Sequence, residues 1–296
     1  MKMKMIAAVV GTVVIANAYA QETYSIEAGA LYATLSSDDK YEQKTTGVGG
    51  TYFLKPIVID STKPFAELDF LQKASGISVK YGTSKIESAE FLSTNVPQLN
   101  IGGTFYVDSF VISAYNTTFD KNFNLKAAPA SYVGIKGETT AFSLGYFVLP
   151  NTVVSYLNDK ETGKYSPSAG VPAIKDLTIT TNGIQSHTVY SLGGTESIVL
   201  DLAYKQIKRE KTLSDTNTEY GVKARYYPQN NFYVEGGYKS NTGDYAYNKG
   251  KTTLVGLGYS FTPRFVLTLI AENFSGDVST EKSSGKSTTV QAGYRF

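Results

Sequence analysis

The sequence predicts an all-β fold: a transmembrane, up-and-down antiparallel β-barrel of about 14 strands with no plug domain. Three observations carry this expectation. The first is a repeated period-two alternation of apolar and polar or small residues, which places successive side chains on opposite faces of a strand. It is plainest in "TTVQAGYRF" (Thr288 to Phe296) and returns in "TLVGLGYSF" (Thr253 to Phe261). The second is the rhythm of the connections, tight and long in turn, as in barrels with short periplasmic turns and long outer loops. The third is an N-terminal secretory leader with no later apolar run long enough to make a membrane helix.

The leader is expected over residues 1–20. Lys2 and Lys4 precede an apolar stretch, and Ala18-Tyr19-Ala20 offers a small-x-small cleavage site between Ala20 and Gln21. Residues 21–296 then form one domain, because no linker, charge block or change of composition divides them. The leader holds two lysines and no acid, so its removal cancels the formal charge of +2. A neutral chain gives no reason to expect nucleic acid as a partner. Without cysteine there is no disulfide framework and no thiol chemistry.

Strands are expected near 22–34, 43–54, 65–81, 98–107, 110–118, 130–138, 141–149 and 176–190. The remainder fall near 196–207, 218–227, 232–240, 251–261, 265–274 and 287–296. A total of 12 or 16 stays open. The eighth is the weakest, because its Asn182-Gly183 is also a turn signal. The segment 150–175 reads as the longest loop, long enough to fold into the lumen and narrow it. Aromatic residues gather at the turn-proximal strand ends, among them Tyr226, Phe232, Tyr259, Phe261, Phe265, Tyr294 and Phe296. Such banding is selected at a membrane interface, where the ring is apolar and the hydroxyl is wet. Strands about 4.8 Å apart and tilted by about 40° give fourteen strands a backbone diameter of about 28 Å.

The stretch "TTGVGGTYFLKPIVIDSTKPFAELDFLQKASGISVKYG" (Thr45 to Gly82) resembles the second-strand region of the general bacterial porin family, most clearly in "GGTYFLK" and "FAELDFLQKAS". The terminal "AGYRF" resembles the aromatic-ended signal of outer-membrane barrels, which makes Tyr294 and Phe296 the expected assembly signal. The resemblance implies a passive diffusion channel for water, ions and small hydrophilic solutes in the outer membrane of a Gram-negative bacterium. It implies a monomer or loose oligomer. Expected partners are outer-membrane lipid and lipopolysaccharide, the barrel-assembly machinery during insertion, and the solutes themselves. It supplies no catalytic residues.

Counting phase from the aromatic face, the expected pore-lining residues are Glu67 and Asp69 on the third strand, Lys136 and Glu138 on the sixth, and Asp201 and Lys205 on the ninth. Lys223 and Arg225 on the tenth, Glu235 and Lys239 on the eleventh, Glu272 on the thirteenth, and Gln291 and Arg295 on the fourteenth complete the set. Their charges are mixed, so weak ion selectivity is expected. Two rival readings stand beside the channel. One is a barrel-borne hydrolase around His187, the only histidine, although no motif supplies its base-orienting group or oxyanion site. The other is a surface adhesin or anchor acting through its loops. Acidic loop residues lack the spacing of a calcium loop, and no metal or cofactor is expected.

Overall fold

Alternation over long runs closes the chain into one sheet. The structure, a computed structural model, describes residues 22–38, 41–88, 94–124, 132–167, 177–210, 215–243, 249–278 and 281–296. The expected leader and its cleavage site at Ala20 and Gln21 lie outside these residues. The strands are β1 (Thr23–Ser37), β2 (Glu42–Val58), β3 (Gly76–Glu87), β4 (Thr94–Val107), β5 (Phe110–Asn124), β6 (Tyr132–Leu149) and β7 (Thr152–Pro167). There follow β8 (Leu177–Gly193), β9 (Glu196–Glu210), β10 (Asp215–Gln229), β11 (Phe232–Gly243), β12 (Lys249–Thr262), β13 (Phe265–Val278) and β14 (Glu281–Arg295). Each pairs antiparallel with the next, and β14 pairs with β1 to close the barrel. Closure leaves no unpaired edge, which is the condition for a sheet in lipid.

The large exposed apolar side chains share the outer face. On β12 they are Val255, Leu257, Tyr259 and Phe261, with Leu254, Gly256 and Gly258 at the alternate positions. At the seam, Ala28 pairs with Tyr294 and Tyr32 with Val290, and the backbone N–H of Phe296 donates to Ile26 O at 2.8 Å. Inward glycines often lie beneath an aromatic ring from the neighbouring strand. A side chain at Gly258 would strike the Tyr233 ring, and one at Gly102 the Tyr115 ring. The ring fills the space the glycine leaves and lets the sheet curve there.

The barrel has the expected fourteen strands, but three boundaries differ from the sequence reading. Residues 132–149 form one strand where two were expected, and 152–167 form a wall strand where a loop was expected. The reason is common to both. The strands run past the apolar band toward the loop end, where both faces are wet, so the alternation fades and the loop-end half of β7 reads as a loop. Residues 152–167 therefore lie in the wall and do not narrow the lumen, while 168–176 lie outside the described residues. Asn182-Gly183 is mid-strand, Asn182 pairing with both Asn158 and Gln206. The turn comes at Gly193 and Gly194, with φ of 114° and 59°, values that glycine adopts freely.

The third difference positions the site. The strand expected over 65–81 begins only at Gly76. Residues 65–71 are a 3-10 turn (Phe65–Glu67) running into a one-turn helix, α1 (Leu68–Leu71), introduced by Pro64. The other connections at this end are two-residue turns, such as 108–109, 150–151 and 230–231. The β2–β3 connection, 59–75, is the exception, and it folds into the barrel.

Candidate functional site

The segment 59–75 reaches the inner wall on opposite sides of the barrel. Phe65 and Leu68 pack with Tyr24, Phe53 and Ile57 of β1 and β2, where Ile57 and Leu68 are fully buried. A register shift between Tyr24 and Ile26 turns Tyr24 inward, its ring edge-on to Phe53 at 5.8 Å. Ala66, Phe70 and Leu71 pack on Val189, Val199, Tyr227 and Tyr233 of β8 to β11. Phe70 also meets Val111, Phe147 and Val153, stacking on Phe147 with centroids 5.5 Å apart. Burying Phe65 and Leu68 is worth about 1.5–3 kcal/mol each, and the partly buried Phe70 and Leu71 add to this, so the segment is a docked element and not a grazing loop.

Polar contacts fix its edges. The Phe65 N–H donates to Asn230 O at 2.9 Å, and Asn230 Nδ2 to Ser61 O at 2.6 Å. Gln72 bridges the Val58 backbone in both directions, and Lys73 Nζ donates to Asp108 O at 3.2 Å while lying 4.3 Å from the centre of the Phe147 ring.

At the centre stands a charge cluster. Arg225 Nη1 donates to Glu67 Oε1 and Nη2 to Asp201 Oδ2 at 3.0 Å, while Nε lies 3.8 Å from Glu235 Oε2. Glu67 Oε1 also accepts the Tyr227 hydroxyl at 2.8 Å. His187 lies between two carboxylates, Nδ1 at 2.5 Å from Asp201 Oδ1 and Nε2 at 3.2 Å from Glu67 Oε2. The Phe70 ring meets its imidazole edge-on at 4.3 Å. Lys223 Nζ is 3.4 Å from Asp201. Glu67 is thus a buried carboxylate whose charge is met entirely by the opposite wall. Removing one partner from such a cluster typically costs about 3–5 kcal/mol, because the remaining charge stays buried. Asp69, on the other flank, keeps an exposed face and has no cation this close among the described residues; the protein packed around it, with Glu27 and Glu67, pushes its carboxyl up to about 6.

The predicted lining residues divide three ways. Asp201, Lys205, Lys223, Arg225, Glu235, Lys239, Glu272, Gln291 and Arg295 occupy inward positions, opposite in parity to the outward Leu202, Tyr220, Val222, Val234, Leu269 and Val290. Several are engaged: Lys205 with Glu219 at 3.4 Å, and Arg295 with Glu27 at 2.9 Å and with Pro263 O at 3.2 Å. Glu67 and Asp69 are not on a wall strand; they belong to the docked segment. Lys136 and Glu138 face outward, on the same side of β6 as Phe142, Leu144 and Tyr146, and Lys136 pairs with Asp120 at 3.3 Å. Reading β6 as two strands let the phase slip by one residue, which exchanges the faces. Tyr294 and the terminal Phe296 face outward, their rings 4.8 Å apart.

Sequence reasoning missed the segment itself. Its signal was present: Phe65 and Leu68 three apart on one side, with Ala66 and Phe70 four apart on another, is a helical spacing after Pro64, not a strand spacing.

This geometry is that of a bacterial outer-membrane β-barrel. No protein-family model and no curated protein matches the sequence. Among solved structures, the chain is similar to the Acinetobacter baumannii outer membrane protein Omp33, with a TM-score of 0.55 at 16% identity, covering 94% of this chain and 100% of that one. The Ralstonia pickettii toluene transporter TbuX gives 0.54 at 10% identity over 92% and 90% of the two chains. The Pseudomonas putida toluene transporter TodX gives 0.50 at 12% over 94% and 91%. At these identities the likeness establishes the fold.

Proposed function

We propose that the protein is a passive diffusion channel for water, ions and small hydrophilic solutes in a Gram-negative outer membrane, closed at its turn end by the 59–75 segment. The carrying observation is the division of faces. Outward positions over the middle of the wall are apolar, as at Val48, Tyr52, Leu202, Val222, Val255 and Leu257, while inward ones carry groups such as Gln43, Thr45 and Ser84, or Asn100 and Thr117, hydrogen-bonded across the wall. A barrel kept polar within supports an aqueous path, and selection then rests on width and lining charge. TbuX and TodX are named as toluene transporters; the hydroxyl and amide lining of this chain favours hydrophilic solutes instead. Pore-lining roles are proposed for the inward Lys205, Lys239, Glu272 and Gln291.

A hydrolase around His187 is not favoured. Both imidazole nitrogens face carboxylates, and Ser186 is on the opposite face of β8. We read His187 as a tie between segment and wall.

The test is conductance of the full chain in planar bilayers, beside a variant in which residues 61–73 are replaced by a short Gly-Ser linker. The wild type should show small or infrequent openings, and the variant a larger steady conductance. Absence of current from both, with barrels folded by their heat-dependent gel migration, would sink the channel reading.

A further inference from the structure

The outer face of the barrel carries a groove and a cleft that meet at one tyrosine. The groove, about 550 Å³, lies over β8 to β11 and is bordered by Ile184, Leu202, Tyr204, Tyr220, Val222 and Tyr238. The cleft, about 600 Å³, lies over β11 to β14 and the end of β1, and holds Lys251, Lys286, Asn273, Ser275 and Ser284, with Tyr238 on its border. Tyr238 pairs with Val222 on one side and Thr253 on the other, so the two hollows follow one row of paired residues. That row slopes, because strands in a barrel tilt. Leu202 and Val222 lie near the middle of β9 and β10, whereas Lys251 and Lys286 lie toward the loop ends of β12 and β14.

The order along this surface is therefore apolar groove, tyrosines, then cations. Tyrosine marks the level where acyl chains give way to headgroups. Lys251 and Lys286 have no ion-pair partner among the described residues, unlike Lys44 with Glu42, Lys85 with Glu87 and Lys208 with Glu210 on the same outer rim. The one carboxylate at the cleft, Asp38, accepts a hydrogen bond from the Ser284 hydroxyl.

We propose that this surface binds a phosphorylated glycolipid of the outer leaflet, with its phosphate between Lys251 and Lys286, its sugar hydroxyls on Asn273 and Ser275, and an acyl chain in the Leu202–Val222 groove. The inference rests on the reading that the loop end faces outward. Its chemistry is charge complementarity at the headgroup, joined to continuous apolar contact below.

The test is native mass spectrometry of the full barrel in detergent with added lipid A, a readout that does not involve conductance. Wild type should retain bisphosphorylated lipid A, and retain dephosphorylated lipid A at least tenfold less. The Lys251→Ala/Lys286→Ala variant should lose at least tenfold in lipid A affinity, since each lysine near an anionic lipid is worth about fivefold. The control Lys44→Ala/Lys85→Ala, which removes paired lysines, should bind as wild type. Equal loss in both double variants, or none in the first, would overturn the proposal. So would inorganic phosphate binding as tightly as lipid A, since the groove would then contribute nothing.

Discussion

Arg225 shows how one side chain can decide whether an element stays docked. It meets Glu67 of the segment and Asp201 of the wall, with Glu235 at the edge of reach. An Arg225→Met variant leaves these acids facing one another, and docking should weaken by about 3 kcal/mol. Single-channel recording should show a higher open probability, and adding Glu67→Gln should recover part of the closed state. Identical traces for all three proteins would mean that the cluster does not hold the segment. Asp69 adds a pH dependence of known sign. Its carboxyl titrates at about 6 when docked, above the ordinary value of 3.8, so docking favours the protonated acid. That contribution is fully present below about pH 4 and is lost as the pH rises through 6, and because Asp69 keeps an exposed face it is small beside that of the charge cluster. Glu27, Glu67 and Arg295 are the charges that surround it. Open probability should therefore climb between pH 4 and 7 in the wild type and climb less in Asp69→Asn. Equal pH profiles would remove Asp69 from the account.

The element that matters most is the 59–75 connection. Every other described link at its end of the barrel is a tight turn, so its length has no role in joining strands. The lack of cysteine allows a clean tether. Ser61 and Asn230 are joined by a hydrogen bond of 2.6 Å from Nδ2 to the backbone oxygen. A Ser61→Cys/Asn230→Cys pair, bridged by a short bifunctional thiol reagent, should hold the segment down and suppress openings. A cleavable reagent should restore them on reduction. Current unaffected by an efficient cross-link would show that solutes do not pass where this segment lies.

Across the whole molecule, the last residue is part of the closure. Phe296 O accepts from the Ser25 N–H at 2.9 Å, and its N–H donates to Ile26 O, so the carboxyl-terminal residue completes the seam between β1 and β14. Its side chain faces outward and remains partly exposed. Deleting Phe296 should lower the yield of inserted barrel in cells much more than it lowers the stability of barrels already folded, as an assembly signal would. Equal losses in both measurements would reduce Phe296 to a structural residue. Orientation belongs to the same scale. A tag at 230–231 should be unreachable from outside intact cells, and protease should not cut within 152–167, which is wall.

The local pattern of residues determined the fold class and most of the wall. Alternation in β9 to β14 was enough to place Asp201, Lys223, Arg225 and Glu235 inward, because side-chain parity on a strand is a local property. It failed where that signal is physically weak. The loop-end halves of strands are wet on both faces, so β7 was read as a loop, and the divided β6 carried Lys136 and Glu138 to the wrong side. The site was beyond local reading for a different reason. Glu67 and Arg225 are far apart in sequence, and nothing near either residue specifies the other. Only the closed barrel brings β2, β8, β9 and β10 around one axis, and only then does a segment with helical spacing find apolar walls on opposite sides and a cation for its buried carboxylate.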